Sequence, residues 1–170
     1  MIIKIFESQT KGVENSMKSL NSNKHVLNEL LVTIFNDILE IEQTALQQGV
    51  LNDLSVTEIH TIEAIGMYKP RTMTEVANDL NITVGTLTTA ITKLVKKEYV
   101  ERTRGEEDRR SVMIALTRKG KLAYRVHERF HQDMINETIN GLTDEEEEVL
   151  IGSLEKVNKF FKSKYNLKNK

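Results

Sequence analysis

The chain has no cysteine, no tryptophan and a single proline among its 170 residues, with only eight glycines. Without cysteine there can be no disulfide framework, thiolate nucleophile or zinc–thiolate centre. With so little proline and glycine, few positions interrupt a helix, which predicts long helices. The start, "MIIKIFESQTKGVENSMKSLNS", lacks a basic segment followed by an apolar one and so does not read as a secretory signal. The apolar runs fall well short of the roughly 18 residues that span a bilayer. With 39% apolar and 29% charged residues, the composition is that of a soluble, cytoplasmic chain that makes no use of a membrane. The sequence also lacks a glycine-rich phosphate loop and any Ser/His/Asp grouping with a structural context, so it does not read as an enzyme. The acids of "DEEEEV" read as a solvated helix start, where they favour the positive end of the helix.

A net charge of −1 hides a division. Residues 84–130 hold twelve Lys/Arg against six Asp/Glu, whereas residues 131–154 hold seven acids and no Lys or Arg. Such asymmetry points to a charged partner. Apolar periodicity predicts a helix from His25 to Gln47, with Leu27, Leu31, Ile34, Ile38 and Ile41 on one row and Leu30 and Phe35 on a second. Ser55 with Glu58, and Thr72 with Glu75, each have the spacing of a capping box and predict two short helices. Pro70 marks the stretch between them as loop. After "NIT" a further helix runs from Val84 to about Lys97, with Val84, Leu87, Ile91, Leu94 and Val95 inward. "YVERTR" and "RSVMIAL" predict two strands joined through "GEED". Thr117 caps a long helix with Leu122, Val126, Phe130, Met134 and Ile139 inward. Thr143 caps the last helix, whose Leu150, Leu154, Val157 and Phe161 form a seam suited to another helix.

Two short helices joined by three residues and followed by a hairpin predict a winged helix-turn-helix within a mostly α chain. The second short helix turns Thr86, Thr88, Thr89, Thr92, Lys93 and Lys96 to solvent. Threonine is a poor helix former, so this many are costly unless an outside partner uses them. Their hydroxyls suit phosphate oxygens and their methyls suit thymine methyls in the major groove. Gly85 would let a phosphate come close to the helix N-terminus. The hairpin "RTRGEEDRRSV" would send an arginine into the flanking minor groove. Asp108, two residues before Arg110, would aim one guanidinium, leaving Arg102, Arg104 and Arg109 for phosphates.

The block "LNITVGTLTTAITKLVKKEYVERTRGEEDRRSVMIALTRKG", with its "DRR" and "LTRKG", resembles the MarR family of winged-helix transcription regulators. The likeness covers roughly residues 25–165. It implies a homodimer whose helical region, 23–54 and 117–167, intertwines, and whose lobes, 55–116, read a pseudo-palindromic operator in double-stranded DNA. It places Thr83 to Lys93 on the recognition helix and Asp108 and Arg110 on the wing's Asp-x-Arg. Residues 1–22 fall outside it as an N-terminal extension, disordered or mis-started. One departure is Glu98, which stands where the family has glycine after its recognition helix. A non-glycine residue in a left-handed cap costs about 1 kcal/mol.

"VTIFNDILEIEQ", "EIHTIEAIG" and "RVHERFH" narrow the resemblance to the family's repressors of fatty-acid synthesis. These imply long-chain acyl-acyl carrier protein as corepressor and no resident cofactor. Carrier proteins are acidic, so Arg118, Lys119, Lys121, Arg125 and Arg129 are the expected docking residues. Leu31, Phe35, Ile62, Ile65, Phe130 and Met134 are the expected lining of an acyl site, each being equally suited to ordinary core. Two alternatives stay open: a regulator of the same fold gated by a metal or a small aromatic acid, and a winged helix that binds only protein. His127 and His131, four apart, can reach one metal ion, with His60, Glu63 or Glu128 to complete a site. Nothing else has ligand spacing, and no metal is assigned.

Overall fold

The computed structural model describes residues 2–104 and 112–165, and the side chains of residues 23–103 and 112–165. The chain divides into two compact units, residues 1–56 and residues 57–170.

The first unit is dominated by one helix, α1 (Ile2–Gln48). The predicted helix over His25 to Gln47 is present and continues back to Ile2. Its two apolar rows are largely in solvent: Leu27, Leu30, Ile34, Phe35 and Ile41 are exposed, while Leu31 and Ile38 are half-buried.

The second unit carries α2 (Val56–Ile65), β1 (Arg71–Thr72), α3 (Met73–Asp79), α4 (Val84–Lys96), β2 (Val100–Arg104), β3 (Val112–Leu116), α5 (Arg118–Ile139) and α6 (Asp144–Tyr165). Its core consists of Ile59, Ile62, Ile65, Val76, Leu87, Ile91, Leu94 and Ile114, all without measurable exposure. Thr72 caps α3 as its spacing predicted: its amide donates to Glu75 Oε2 at 2.7 Å, and its hydroxyl accepts from the Glu75 amide at 3.2 Å. The Thr72 amide, and the Thr72 hydroxyl donating to the same Glu75 Oε2 at 2.8 Å, hold the Glu75 carboxyl below its ordinary range. Glu58, which has the spacing of a cap on α2, also receives Lys97 Nζ on both carboxylate oxygens at 2.8 Å, with its side chain nearly buried.

The sheet has three strands, not the two that the sequence predicts, in the order β1-β3-β2 and antiparallel throughout. β1 is only two residues long and directly follows Pro70, so it offers no alternation to read. Its pairing is non-local, Arg71 opposite Ile114 and Thr72 opposite Met113. The hairpin pairs Val100 with Leu116 through to Arg104 with Val112. In α5 the buried face is Gly120, Ala123 and His127, and Leu122 is 54% exposed, contrary to the inward position predicted for it. The cause is steric. A Cβ at Gly120 would stand 2.0 Å from the Tyr99 carbonyl oxygen, so α5 meets the start of β2 at closest approach through its one glycine. That contact sets the face. Thr117 fixes the same junction, donating to the Glu98 carbonyl at 2.6 Å and accepting from the Gly120 amide at 3.1 Å. α6 starts with a capping box between Thr143 and Glu146 and has no buried residue. None of the helices searched among the described residues is long and apolar enough to cross a membrane.

Candidate nucleic-acid interface

α4 is amphipathic because Leu87, Ile91 and Leu94 recur at spacings of four and three, and all three are fully buried. Val84 and Val95, predicted on the same stripe, lie at its margins with 44% and 37% exposure. The opposite face carries Thr83, Gly85, Thr86, Thr88, Thr89, Thr92, Lys93 and Lys96, all exposed. Thr83 is the N-cap: its hydroxyl accepts from the Thr86 amide at 3.1 Å and lies 2.9 Å from the Thr86 hydroxyl. No acid occupies the first turn, so the positive end of the helix is not offset from within. A Cβ on Gly85 would meet only the Thr83 hydroxyl, at 3.7 Å. Nothing in the fold therefore requires glycine here, although it costs the helix up to about 1 kcal/mol relative to alanine.

The threonine hydroxyls are already engaged. Thr88 donates to the Val84 carbonyl at 2.8 Å, Thr89 to Gly85 at 3.4 Å and Thr92 to Thr88 at 2.7 Å. A hydroxyl has one hydrogen and two lone pairs, so these side chains face outward as acceptors with a methyl beside them. Such groups match the exocyclic amines and thymine methyls of major-groove edges better than they match phosphates.

Arg102, on β2, reaches back to this helix. Its Nη2 donates to Thr92 Oγ1 at 2.8 Å and to the Thr88 carbonyl at 3.3 Å. The guanidinium thus ties the hairpin to the helix while staying exposed, and it occupies one of the two lone pairs on Thr92. Ten residues separate the two in sequence, and no local spacing signals the contact. Arg104 takes its place in β2, but its side chain lies outside the described residues, as do Asp108, Arg109 and Arg110 entirely.

Among the expected docking residues, Arg118, Lys121, Arg125 and Arg129 follow one another at spacings of three, four and four on α5, and all are exposed. Arg129 is ion-paired with Asp133 at 2.8 Å. Lys119 is committed elsewhere, lying 4.1 Å above the Tyr99 ring and donating to the Lys97 carbonyl at 3.1 Å. Of the expected acyl-site residues, Ile62 and Ile65 are fully buried, Phe130 and Met134 are half-buried, and on α1 Leu31 is half-buried and Phe35 exposed.

His127 is buried on α5, and its Nδ1 lies 2.8 Å from Glu63 Oε1 on α2. Partial burial raises the Glu63 pKa, but the His127 hydrogen bond and the charges of His127, His60 and His131 outweigh this and lower it. The His131 ring stands edge-on to His127 with centroids 4.5 Å apart. Helical spacing showed the two histidines, whereas Glu63 is joined to them by the fold.

Comparison with known proteins agrees with this geometry. The MarR family matches over residues 54–112. The chain is similar to FabT of Streptococcus pneumoniae, solved in complex with DNA, with a TM-score of 0.77 and 40% identity, covering 81% of this chain and 96% of that one. It is 24% identical over 144 residues to the HTH-type transcriptional regulator PchR of Bacillus subtilis, covering 83% of this chain and 82% of the relative. It is 42% identical over 71 residues to the HTH-type transcriptional regulator SarZ of Staphylococcus epidermidis, covering 42% of this chain and about half (47%) of SarZ.

Proposed function

Because the chain belongs to the MarR family of transcription regulators, and is therefore not an enzyme, we propose that it is a homodimeric repressor that binds a pseudo-palindromic operator in double-stranded DNA. One observation carries the proposal: the exposed face of α4, with its acid-free first turn, its unforced Gly85 and its threonines turned outward as acceptors. α4 lies in the major groove, with Thr83 and Gly85 next to a phosphate and Thr86, Thr88 and Thr89 along base edges. Lys93 and Lys96 neutralise backbone charge, and Arg102 sets the angle between wing and helix. Arg110, steered by Asp108, enters the minor groove. The apolar residues that α1 and α6 leave in solvent are the surfaces that a second copy covers.

The regulated genes are those of fatty-acid synthesis, with long-chain acyl-acyl carrier protein as corepressor. This finer reading is supported by the sequence resemblance and by the exposed basic row on α5, which an acidic carrier protein would complement. A gel-shift titration across salt tests both levels, using DNA from upstream of its own gene and from fatty-acid-synthesis promoters. The expected affinity falls with a log–log slope of about −0.9 per neutralised phosphate. Arg110→Ala weakens binding, and added acyl-acyl carrier protein strengthens it. Salt-insensitive or absent binding with the acyl protein present would overturn the DNA reading. Binding that ignores the acyl protein would overturn only the corepressor.

A further inference from the structure

We propose that Glu63, His127 and His131 form a binding site for a divalent transition metal ion, zinc foremost, that clamps α2 to α5. The proposal does not depend on the DNA reading. One donor atom from each of the three residues lies within 4.8 Å of the other two, and the pair His127 Nδ1 and Glu63 Oε1 is already at 2.8 Å. Tetrahedral zinc with bonds of about 2.0–2.1 Å needs its donors about 3.3 Å apart. The required spacing lies between those two distances, so adjustments on the order of an ångström or so suffice.

The donor chemistry is selective. Two imidazoles and one carboxylate favour a borderline cation over calcium or magnesium, which prefer all-oxygen shells. Three protein ligands leave a fourth position for water or for an outside donor. The burial is graded as such a site requires. His127 is 2% exposed, while Glu63 and His131 are half-buried, which gives the ion a path in. His60, with its ring centroid 5.8 Å from that of His127, adds a further imidazole at the edge of the group. Neutral imidazole ligates and its protonated form does not, so occupancy falls as pH drops through the histidine range.

An ion here would replace the His127–Glu63 hydrogen bond with metal bonds that fix both helices. α2 is part of the lobe that carries α4, and α5 leaves the hairpin directly through Thr117. Metal occupancy would therefore set how stiffly the lobe is held to its helical support.

The test uses the full chain, stripped with chelator and titrated with cobalt(II) chloride. The expected result is the ligand-field absorption of tetrahedral cobalt, saturating at one ion per chain and abolished by excess zinc. His131→Ala and Glu63→Gln lose the absorption, whereas His25→Ala, at an exposed histidine of α1 paired with Glu29, retains it. His131 is only half-buried, so its alanine variant is expected to fold, and circular dichroism verifies this. As a second measurement, zinc at a hundredfold excess over Kd raises the Tm of the parent protein by roughly 5–10 °C and leaves that of His131→Ala in place. Absence of both signals in the parent protein, or equal cobalt absorption in His131→Ala and Glu63→Gln, would overturn the proposal and leave the three side chains as a packing network.

Discussion

Helices α4 and α6 make opposite use of the same kind of pattern. α4 has 13 residues and buries Leu87, Ile91 and Leu94 completely. α6 has 22 residues and buries none, although Leu150, Leu154, Val157 and Phe161 recur on it at spacings of four, three and four. Leu154 is 55% exposed and Val157 37%. In α4 the stripe is satisfied by the chain's own lobe, where α3 and β2 pack against the helix. In α6, among the described residues, Leu154 and Val157 stay exposed and Leu150 and Phe161 only half-buried. Singly exposed apolar residues need no explanation, but a whole apolar seam on a helix does. Amphipathicity by itself says that a face will be covered, and the comparison shows that it does not say by which chain.

The largest expected effect falls on the satisfied helix. Ile91→Ala truncates a fully buried side chain in the lobe core and should destabilise the lobe by about 2–5 kcal/mol in urea unfolding. A loss under 1 kcal/mol would mean that the lobe core is looser than its burial indicates.

The equivalent change on the other helix should leave the lobe intact and act on assembly. Leu154→Lys puts a charge in the seam proposed to join two copies, so sedimentation should show a shift from dimer to monomer. Operator binding would then lose its second lobe, and affinity should fall on the order of 100-fold or more. A variant that remains dimeric with unchanged binding would mean that the seam is not the interface.

Most of the fold from α3 onward was legible in the sequence because its signals are local. The Thr72–Glu75 box, the stripe of α4, the Thr117 and Thr143 caps and the hairpin strands all depend on residues within a few positions of one another. What escaped was non-local. β1 exists only through its pairing with β3. The ion pair of Glu58 with Lys97, 39 residues away, has no local signal. Leu122 fits the helical period but is displaced from the buried face because Gly120 must approach Tyr99. For the candidate site, the threonine face could be read from composition and period. That those hydroxyls spend their hydrogens on their own helix, and that Arg102 rests on Thr92, could not.

The capping box of α3 offers a finer probe, since it depends on charge as well as geometry. Thr72→Ala should cost about 1 kcal/mol. The Glu75 pKa is depressed in the fold, so its stabilising contribution is complete above the unfolded value of 4.5 and is lost as pH falls through the lower folded value. Thermal melts at pH 7 and pH 3 should therefore show a smaller difference in Glu75→Gln than in the parent protein. An unchanged difference would mean that the carboxylate contributes nothing as an anion.

The smallest effect, and the only gain, is expected where α4 ends. Glu98 has φ of +66°, and the amides of Glu98 and Tyr99 donate to the carbonyls of Val95 and Leu94 at 3.0 and 2.9 Å. This is the Schellman arrangement, with the left-handed position filled by a residue that carries a Cβ. The helix end therefore makes the hydrogen bonds that a glycine cap would make. Glu98→Gly relieves left-handed strain worth about 1–2 kcal/mol but gives back about 0.5–1 kcal/mol through the greater freedom of the unfolded chain. The net gain should be roughly 0.5 kcal/mol in urea unfolding, with operator affinity unchanged. A destabilised variant would show that the Glu98 side chain has a favourable partner worth more than the strain it imposes. An altered affinity would show that the end of α4 transmits its geometry to the wing.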